Sequence, residues 1–351
     1  MLSVSVSNTK RSVRAFNPDN KIFLITLDGF RWEEVFRGAD SALVHDPSVT
    51  TDTSLTRAMF WADTETARRK KLLPFFWNVV AKHGQLYGNR IYDNKVNVSN
   101  PYSLSYPGYN ELLTGSVDIS IYGNSKKENS NRNILELINS SPQFAGKVAA
   151  FTSWDVFPYI LNSERNTFYI NSGHQKIENA DPGKETSILN KIQSQLAGEK
   201  RPTRYDELTF IACREYLLKN KPSVLFLSFS GTDDAGHEKK YDQYLQQANN
   251  ADRMISELWR LVQSMPEYRD RTTFIITTDH GRGNKKSTWS RHGFLISGSS
   301  QTWFALLGNS IVPGGEIKTP NQAYQKDIKS LIMEILTRKD GTLPDGTGSS
   351  R

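Results

Sequence analysis

Four short apolar runs set the strongest limit on the fold. KIFLITL (21–27), KVAAFTSW (147–154), SVLFLSFS (223–230) and TTFIITT (272–278) are rich in Ile, Val, Leu and Phe. Runs of this length without polar alternation read as strands covered on both faces, as in a parallel sheet. TWFALLG (302–308) is a fifth candidate strand. Helical patterns lie between them. From Lys239 onward, Tyr241, Tyr244, Leu245, Ala248, Ala251, Met254, Ile255, Leu258, Leu261 and Val262 recur at spacings of three and four, one apolar helix face, and Pro266 helps to stop it. Further helices are expected over 133–141, 207–220 and 321–338. Strands alternating with helices predict an α/β fold, a three-layer sandwich with a mostly parallel central sheet.

The 351 residues can bury a large core and are expected to form a single domain, 1–351. The polar, irregular stretch 155–205 reads as a small cap inserted over one end of the sheet. The Gly- and Ser-rich tail 340–351 reads as a fraying terminus. The formal charge of +7 is spread thinly, with basic pieces no longer than ARRKK (67–71) and NKKS (284–287). Binding to a nucleic-acid duplex would need a concentrated basic stripe and is not expected. No apolar run approaches the roughly 20 residues of a membrane span. The first twenty residues have no apolar signal region, so the expected location is cytoplasmic, or periplasmic or secreted if a leader was trimmed. Cys213 is the one cysteine, which excludes an internal disulfide and fits a small buried side chain in a helix.

Three of the strands run directly into candidate ligands. LITL leads to Asp28 and Gly29, LSFS to Asp233 and His237, and IITT to Asp279 and His280. In open α/β sheets ligands bind beyond the carboxyl ends of the strands, so these residues are expected on one rim. Singly, an Asp after a strand is more often a turn residue or a helix cap. Together with His292 in SRHGF they make six candidate ligands, a mixture of carboxylate and imidazole that suits Zn, Mn or Fe. Six are too many for one tetrahedral zinc with an open position and about right for two metals. Ser105, at the head of an expected helix in SYPGYNELLTG, reads either as a capping residue or as an alkoxide nucleophile. Pro107 and Gly108 are expected to turn the chain so that the serine is exposed. Gly236 is expected to let the loop turn His237 back. Asp234, His45, His83 and His174 are not expected to be ligands.

These segments resemble the alkaline phosphatase superfamily, and within it the nucleotide pyrophosphatase/phosphodiesterase-like branch. The resemblance rests on LITLDGFRWEEVF (24–36), SYPGYNELLTG (105–115), DDAGH (233–237), TDHG (278–281) and RHGF (291–294). It implies a two-metal phosphohydrolase that cleaves small-molecule phosphate esters, diesters first, through a phosphoseryl intermediate on Ser105. Asp28, Asp279, His280 and Ser105 would hold one divalent ion, and Asp233, His237 and His292 the other, with Zn expected and Mn as the alternative. Asn124 would hold a phosphoryl oxygen, with Arg31 a further candidate. The branch usually has Thr where Ser105 stands. A phosphomonoesterase or a sulfatase of the same fold, and a non-catalytic binding module, are the alternatives. Tyr109 replaces the Arg of the sulfatase segment. Cofactor-independent phosphoglycerate mutases carry a second domain for which 116–222 leaves little room. Trp32, Trp61, Tyr106 and Tyr109 are candidates to stack a base or sugar, though core packing is the commoner fate of such rings.

Overall fold

The structure is a computed structural model that describes residues 17, 19–177, 184–196 and 201–337; the tail 340–351 lies outside them. Its strands are β1 (Lys21–Leu27), β2 (Gly84–Tyr87), β3 (Asn94–Asn97), β4 (Val148–Thr152), β5 (Tyr169–Ser172), β6 (Val224–Phe229), β7 (Thr272–Thr277), β8 (Gln301–Thr302), β9 (Phe304–Gly308), β10 (Gly315–Glu316) and β11 (Asn321–Tyr324). Eight of them form one sheet in the order β10-β2-β9-β7-β1-β6-β4-β5, and the other three form a small sheet, β11-β3-β8. The centre of the large sheet is parallel: β1 pairs with β6 and β7, and β4 with β6 and β5.

Alternation along β1 shows why three layers form. Phe23, Ile25 and Leu27 join one core with the helix Tyr241–Ser264, while Ile22 and Leu24 join another with the helix Ser105–Thr114. Both faces of the strand are therefore apolar, and both are roofed by helices. Tyr241–Ser264 buries the stripe read from its sequence, Leu261 excepted, from Tyr241 to Val262. Truncating Ile255 or Leu258 to Ala there would cost about 2–5 kcal/mol.

Register places the strand ends together. Leu27 lies opposite Phe229, and Thr26 opposite Thr277. The residues that follow β1, β6 and β7 thus emerge side by side from three adjacent strands.

Several elements differ from the sequence pattern. The fifth strand is split at Trp303, and its main part, β9, runs antiparallel to β7. The expected helix 321–338 starts only at Asp327. Asn321–Tyr324 is extended instead, because its backbone pairs with β3. Within 155–205, Tyr169–Ser172 supplies the edge strand β5, and the helix Lys184–Leu196 packs beside Asp206–Asn220. Among the described residues no helix is long and apolar enough to cross a membrane.

Candidate metal centre and nucleophile

The carboxyl ends of β1, β6 and β7 deliver three aspartates to one point. Asp28 follows β1 directly, and its N–H donates to the Phe229 carbonyl at 2.9 Å. Gly29 then turns in the left-handed region at φ 59° and donates its N–H to Asp279 Oδ1 at 3.1 Å. Asp233 sits in the short helix Gly231–His237 that follows β6. That helix is pinned at its start by Asp206, whose carboxylate accepts from the N–H groups of Ser230 and Gly231, each at 2.9 Å. Thr232 Oγ1 ties it to the Asp28 carbonyl at 2.6 Å. Because the segment is helical, Asp233 and His237 lie one turn apart on one face. Gly236 is thus not a loop hinge: a Cβ there would meet Arg282 Cζ at 2.5 Å, so glycine admits a guanidinium against the helix.

Ser105 opens the buried helix Ser105–Thr114. Pro107 falls in the first turn, where a missing N–H costs nothing. Gly108 serves close packing rather than a turn, since a Cβ there would lie 2.4 Å from the Asp279 carbonyl oxygen. This contact sets the helix start against the aspartate-bearing rim. Ser105 Oγ lies 3.2 Å from His280 Nε2.

All seven expected metal-site residues converge. His280 Nε2 is 3.5 Å from Asp28 Oδ1 and 3.4 Å from Asp279 Oδ2. His237 Nε2 is 3.0 Å from Asp233 Oδ2 and 3.1 Å from His292 Nε2. Among the described residues two sets of potential ligand atoms stand within a metal's span: Asp233, His237 and His292, and Asp28, Asp233 and His280. Asp279, expected with Asp28 and His280, joins neither set, and the expected division had Asp233 in one set only. Its Oδ1 also lies 4.0 Å from His280 Nε2, so it stands between the two sets.

The donor chemistry fits divalent cations. His280 Nδ1 faces the Gly281 carbonyl at 2.9 Å, and His292 Nδ1 faces that of Ser103 at 3.1 Å. Each ring donates there, which leaves its Nε2 lone pair turned into the site. Burial, then His292, holds His280 well below the ordinary histidine range. Burial above all brings His292 down to about 4, so both rings are neutral. Burial, then its carboxylate neighbours, pushes Asp28 well up and Asp279 to about 8. Asp28 Oδ1 and Asp279 Oδ2 are buried and accept no hydrogen bond. Buried carboxylate oxygens without donors, facing imidazole lone pairs, call for positive charge.

Other expectations resolve differently. Asn124 Oδ1 accepts from the Tyr106 N–H at 3.0 Å, so the residue sits beside the serine on an exposed loop. Arg31 is buried away from that point, paired with Glu34 and donating to the Gly283 carbonyl at 3.0 Å. Tyr106 and Tyr109 are core side chains and Trp32 is nearly buried, while Trp61 packs against His45 and Arg68. None of these four offers a stacking platform at the aspartate rim. Asp234 turns away, accepting from Thr203 Oγ1 at 2.7 Å. His45, His83 and His174 join neither set.

Two contributors escaped the sequence reading. Tyr109 OH donates to Asp28 Oδ2 at 3.1 Å. Burial alone would raise Asp233, but the charge of Arg282, which pairs with it, and then the His237 hydrogen bond hold it well below the usual carboxylate range. An arginine two residues past His280 was the visible signal.

A family profile described as type I phosphodiesterase / nucleotide pyrophosphatase matches residues 56–288, about two-thirds of the chain. The match includes Ser105, Asp233, His237, Asp279 and His280 but stops short of Asp28 and His292. A 2,3-bisphosphoglycerate-independent phosphoglycerate mutase from Pyropia yezoensis is 25% identical over 197 residues, 52% of this chain; the chain spans only 33% of that protein. Solved structures share the fold. Alkaline phosphatase PafA aligns with a TM-score of 0.58 at 10% identity, over 89% of this chain and 95% of its own. Murine ectonucleotide pyrophosphatase / phosphodiesterase 5 aligns with 0.55 at 13% identity, over 93% and 97%. The lipoteichoic acid synthase LtaP from Listeria monocytogenes aligns with 0.53 at 14% identity, over 95% and 76%.

Proposed function

Since the chain belongs to the type I phosphodiesterase / nucleotide pyrophosphatase family, we propose that it is a metal-dependent hydrolase of phosphate esters, diesters foremost, with Ser105 as nucleophile. The observation that carries this is Ser105 Oγ at 3.2 Å from His280 Nε2, beside the buried, undonated oxygens of Asp28 and Asp279. Asp28, Asp279, His280 and Ser105 would hold one ion and Asp233, His237 and His292 a second, with Asp233 near both. Zn or Mn bound there would supply Lewis-acid stabilisation of the entering and departing oxygens.

The chain's own part begins with binding. Ser105 is the first residue of its helix, so its own N–H lacks an intrahelical acceptor and suits a phosphoryl oxygen, whereas the Tyr106 N–H is taken by Asn124, Pro107 has none and the Gly108 N–H donates to the Leu104 carbonyl. The Asn124 amide, held by its Oδ1 on the Tyr106 N–H, brings an NH₂ group to the same loop. Ser105 Oγ attacks phosphorus and the alcohol leaves from the opposite side, carrying the proton the serine gives up, which leaves a phosphoseryl ester that keeps the diester's second ester group. Water then cleaves the new P–O bond and restores the hydroxyl.

The charge balance favours diesters. Arg31 is tied to Glu34 and Gly283, and Arg282 to Asp233 and Ser290. Neither guanidinium is free to compensate the second negative charge of a monoester. Tyr109, engaged with Asp28, leaves the sulfatase arginine without a counterpart.

The test is paired hydrolysis of bis-p-nitrophenyl phosphate and p-nitrophenyl phosphate, with Zn or Mn, by the wild type and Ser105→Ala. Metal-dependent diester turnover that the substitution abolishes is expected. Turnover retained by Ser105→Ala would remove the serine from the mechanism.

A further inference from the structure

Arg282 is fully buried, yet it is not one of the residues whose chemistry calls for metal. Its Nη2 donates to the Asp233 carbonyl at 3.0 Å and to Asp233 Oδ1, and its Nη1 donates to the Ser290 carbonyl. It therefore grips both the backbone and the side chain of one aspartate. It also joins two separate pieces of the site: the helix that carries Asp233 and His237, and the segment that runs from Asp279 and His280 to His292. The grip is built from both sides. The guanidinium lies against Gly236, where a Cβ would meet Cζ at 2.5 Å and Nε at 2.8 Å. Nε lies 3.0 Å from where a Cβ on Gly29 would stand, so a second glycine clears the other flank.

Asp233 is the residue for which such a grip matters most. Its Oδ2 is 3.0 Å from His237, and its Oδ1 is 3.9 Å from His292 and 4.0 Å from His280. A rotation about its side-chain torsions would move ligand atoms of both sets at once. Asp28 and Asp279 are steadied by other donors, Tyr109 OH and the Gly29 N–H. Asp233 has Arg282.

We infer that Arg282 is the positioning residue for Asp233, fixing the carboxylate shared by the two ion sets, and that Gly236 is retained to admit it. This rests on the metal-dependent reading above. The guanidinium also places a positive charge near the ions, which by itself would weaken their binding. Partners that orient a ligand generally matter more, their loss costing about 10–100-fold in metal affinity. Loss of the grip is therefore expected to outweigh relief of the repulsion.

The experiment measures Zn²⁺ affinity of the full chain, stripped by chelator, in competition with a chelating dye, with a thermal melt of each stripped variant. Arg282→Gln is expected to bind Zn²⁺ about 10–100-fold more weakly. Arg282→Lys, which keeps the charge and one donor, should fall between. Gly236→Ala should weaken binding in the same direction, and the double variant should be no weaker than the weaker single. A merely structural arginine would lower the melting temperature and leave the affinity unchanged; that result, tighter binding by Arg282→Gln, or additive losses would overturn the inference. If Arg282→Gln does not fold, wild-type affinity in both Arg282→Lys and Gly236→Ala overturns it. A wild type that binds no Zn²⁺ overturns the metal-dependent reading itself.

Discussion

Gly108→Ala isolates the packing that places the nucleophile. A Cβ at 108 would lie 2.4 Å from the Asp279 carbonyl oxygen, 3.0 Å from its carbon and 3.3 Å from Asp279 Cβ. The first of these is roughly 1 Å short of an ordinary contact. Neither side can yield cheaply. The opposing atoms are backbone just beyond the central strand β7, and every residue of the helix Ser105–Thr114 is buried. The helix must move as a body, and Ser105 moves with it, away from His280. Overpacking of this kind costs about 1–3 kcal/mol. A misplacement near 1 Å at a reacting centre costs on the order of 10²-fold in rate. The expected result is a melting temperature lower by a few degrees and kcat/KM on bis-p-nitrophenyl phosphate lower by about 100-fold, mostly in kcat. Gly108→Ala with activity within threefold of wild type and an unchanged melt would refute the close approach, and with it the account of how Ser105 is held.

Three further predictions probe the supports. Tyr109→Phe removes the donor to Asp28 Oδ2 and should cost about 1.5–3 kcal/mol of stability in the stripped protein, read by urea unfolding; wild-type stability would show that the contact contributes nothing. Glu111 is fully buried and accepts from the N–H groups of Ser99 and Asn100 and from Asn100 Nδ2, holding the loop ahead of Ser105. Glu111→Ala leaves those donors unpaired and should destabilise by about 3 kcal/mol or more, with reduced turnover; a loss under 1 kcal/mol would count against it. Burial foremost pushes Asp206 and Asp252 up to about 7. Between pH 4 and 7 the folded state therefore holds protons that the unfolded state has released, so their contribution to stability is full below pH 4 and is lost as pH rises through 7. Denaturant midpoints at constant ionic strength should fall across that window through these groups, and Asp252→Asn should flatten the slope; an unchanged slope would contradict the assignment.

The parts that could be read from sequence follow from local pattern. The apolar runs at 21–27, 148–152, 224–229 and 272–277 needed no tertiary information, because a strand buried on both faces shows it in every residue. Asn321–Tyr324 shows the opposite case. NQAY has no strand pattern of its own, and its conformation comes from the edge of β3 some two hundred residues earlier. The short strand β2 was hidden for the same reason: Gly84–Tyr87 is built by its neighbour β9.

The site divides along the same line. Aspartates at strand ends are visible because the sheet imposes where they go, and register between adjacent strands does the rest. What sequence could not assign is how the ligands are shared, because that depends on side-chain torsions fixed by distant partners. Asp233 stands between two sets through its grip by Arg282, and that arginine looks in sequence like any charged residue of a surface loop such as GRGNKK. The glycines make the same point. Gly108 and Gly236 read as flexible turn residues, yet both lie in helices, and each is small because another group presses against it: the Asp279 carbonyl in one case, the Arg282 guanidinium in the other. A glycine inside a motif can thus mark an approach rather than a bend, and the group that approaches is then a candidate member of the site. Followed from Gly236, packing alone leads to Arg282, and from Arg282 to the carboxylate it holds.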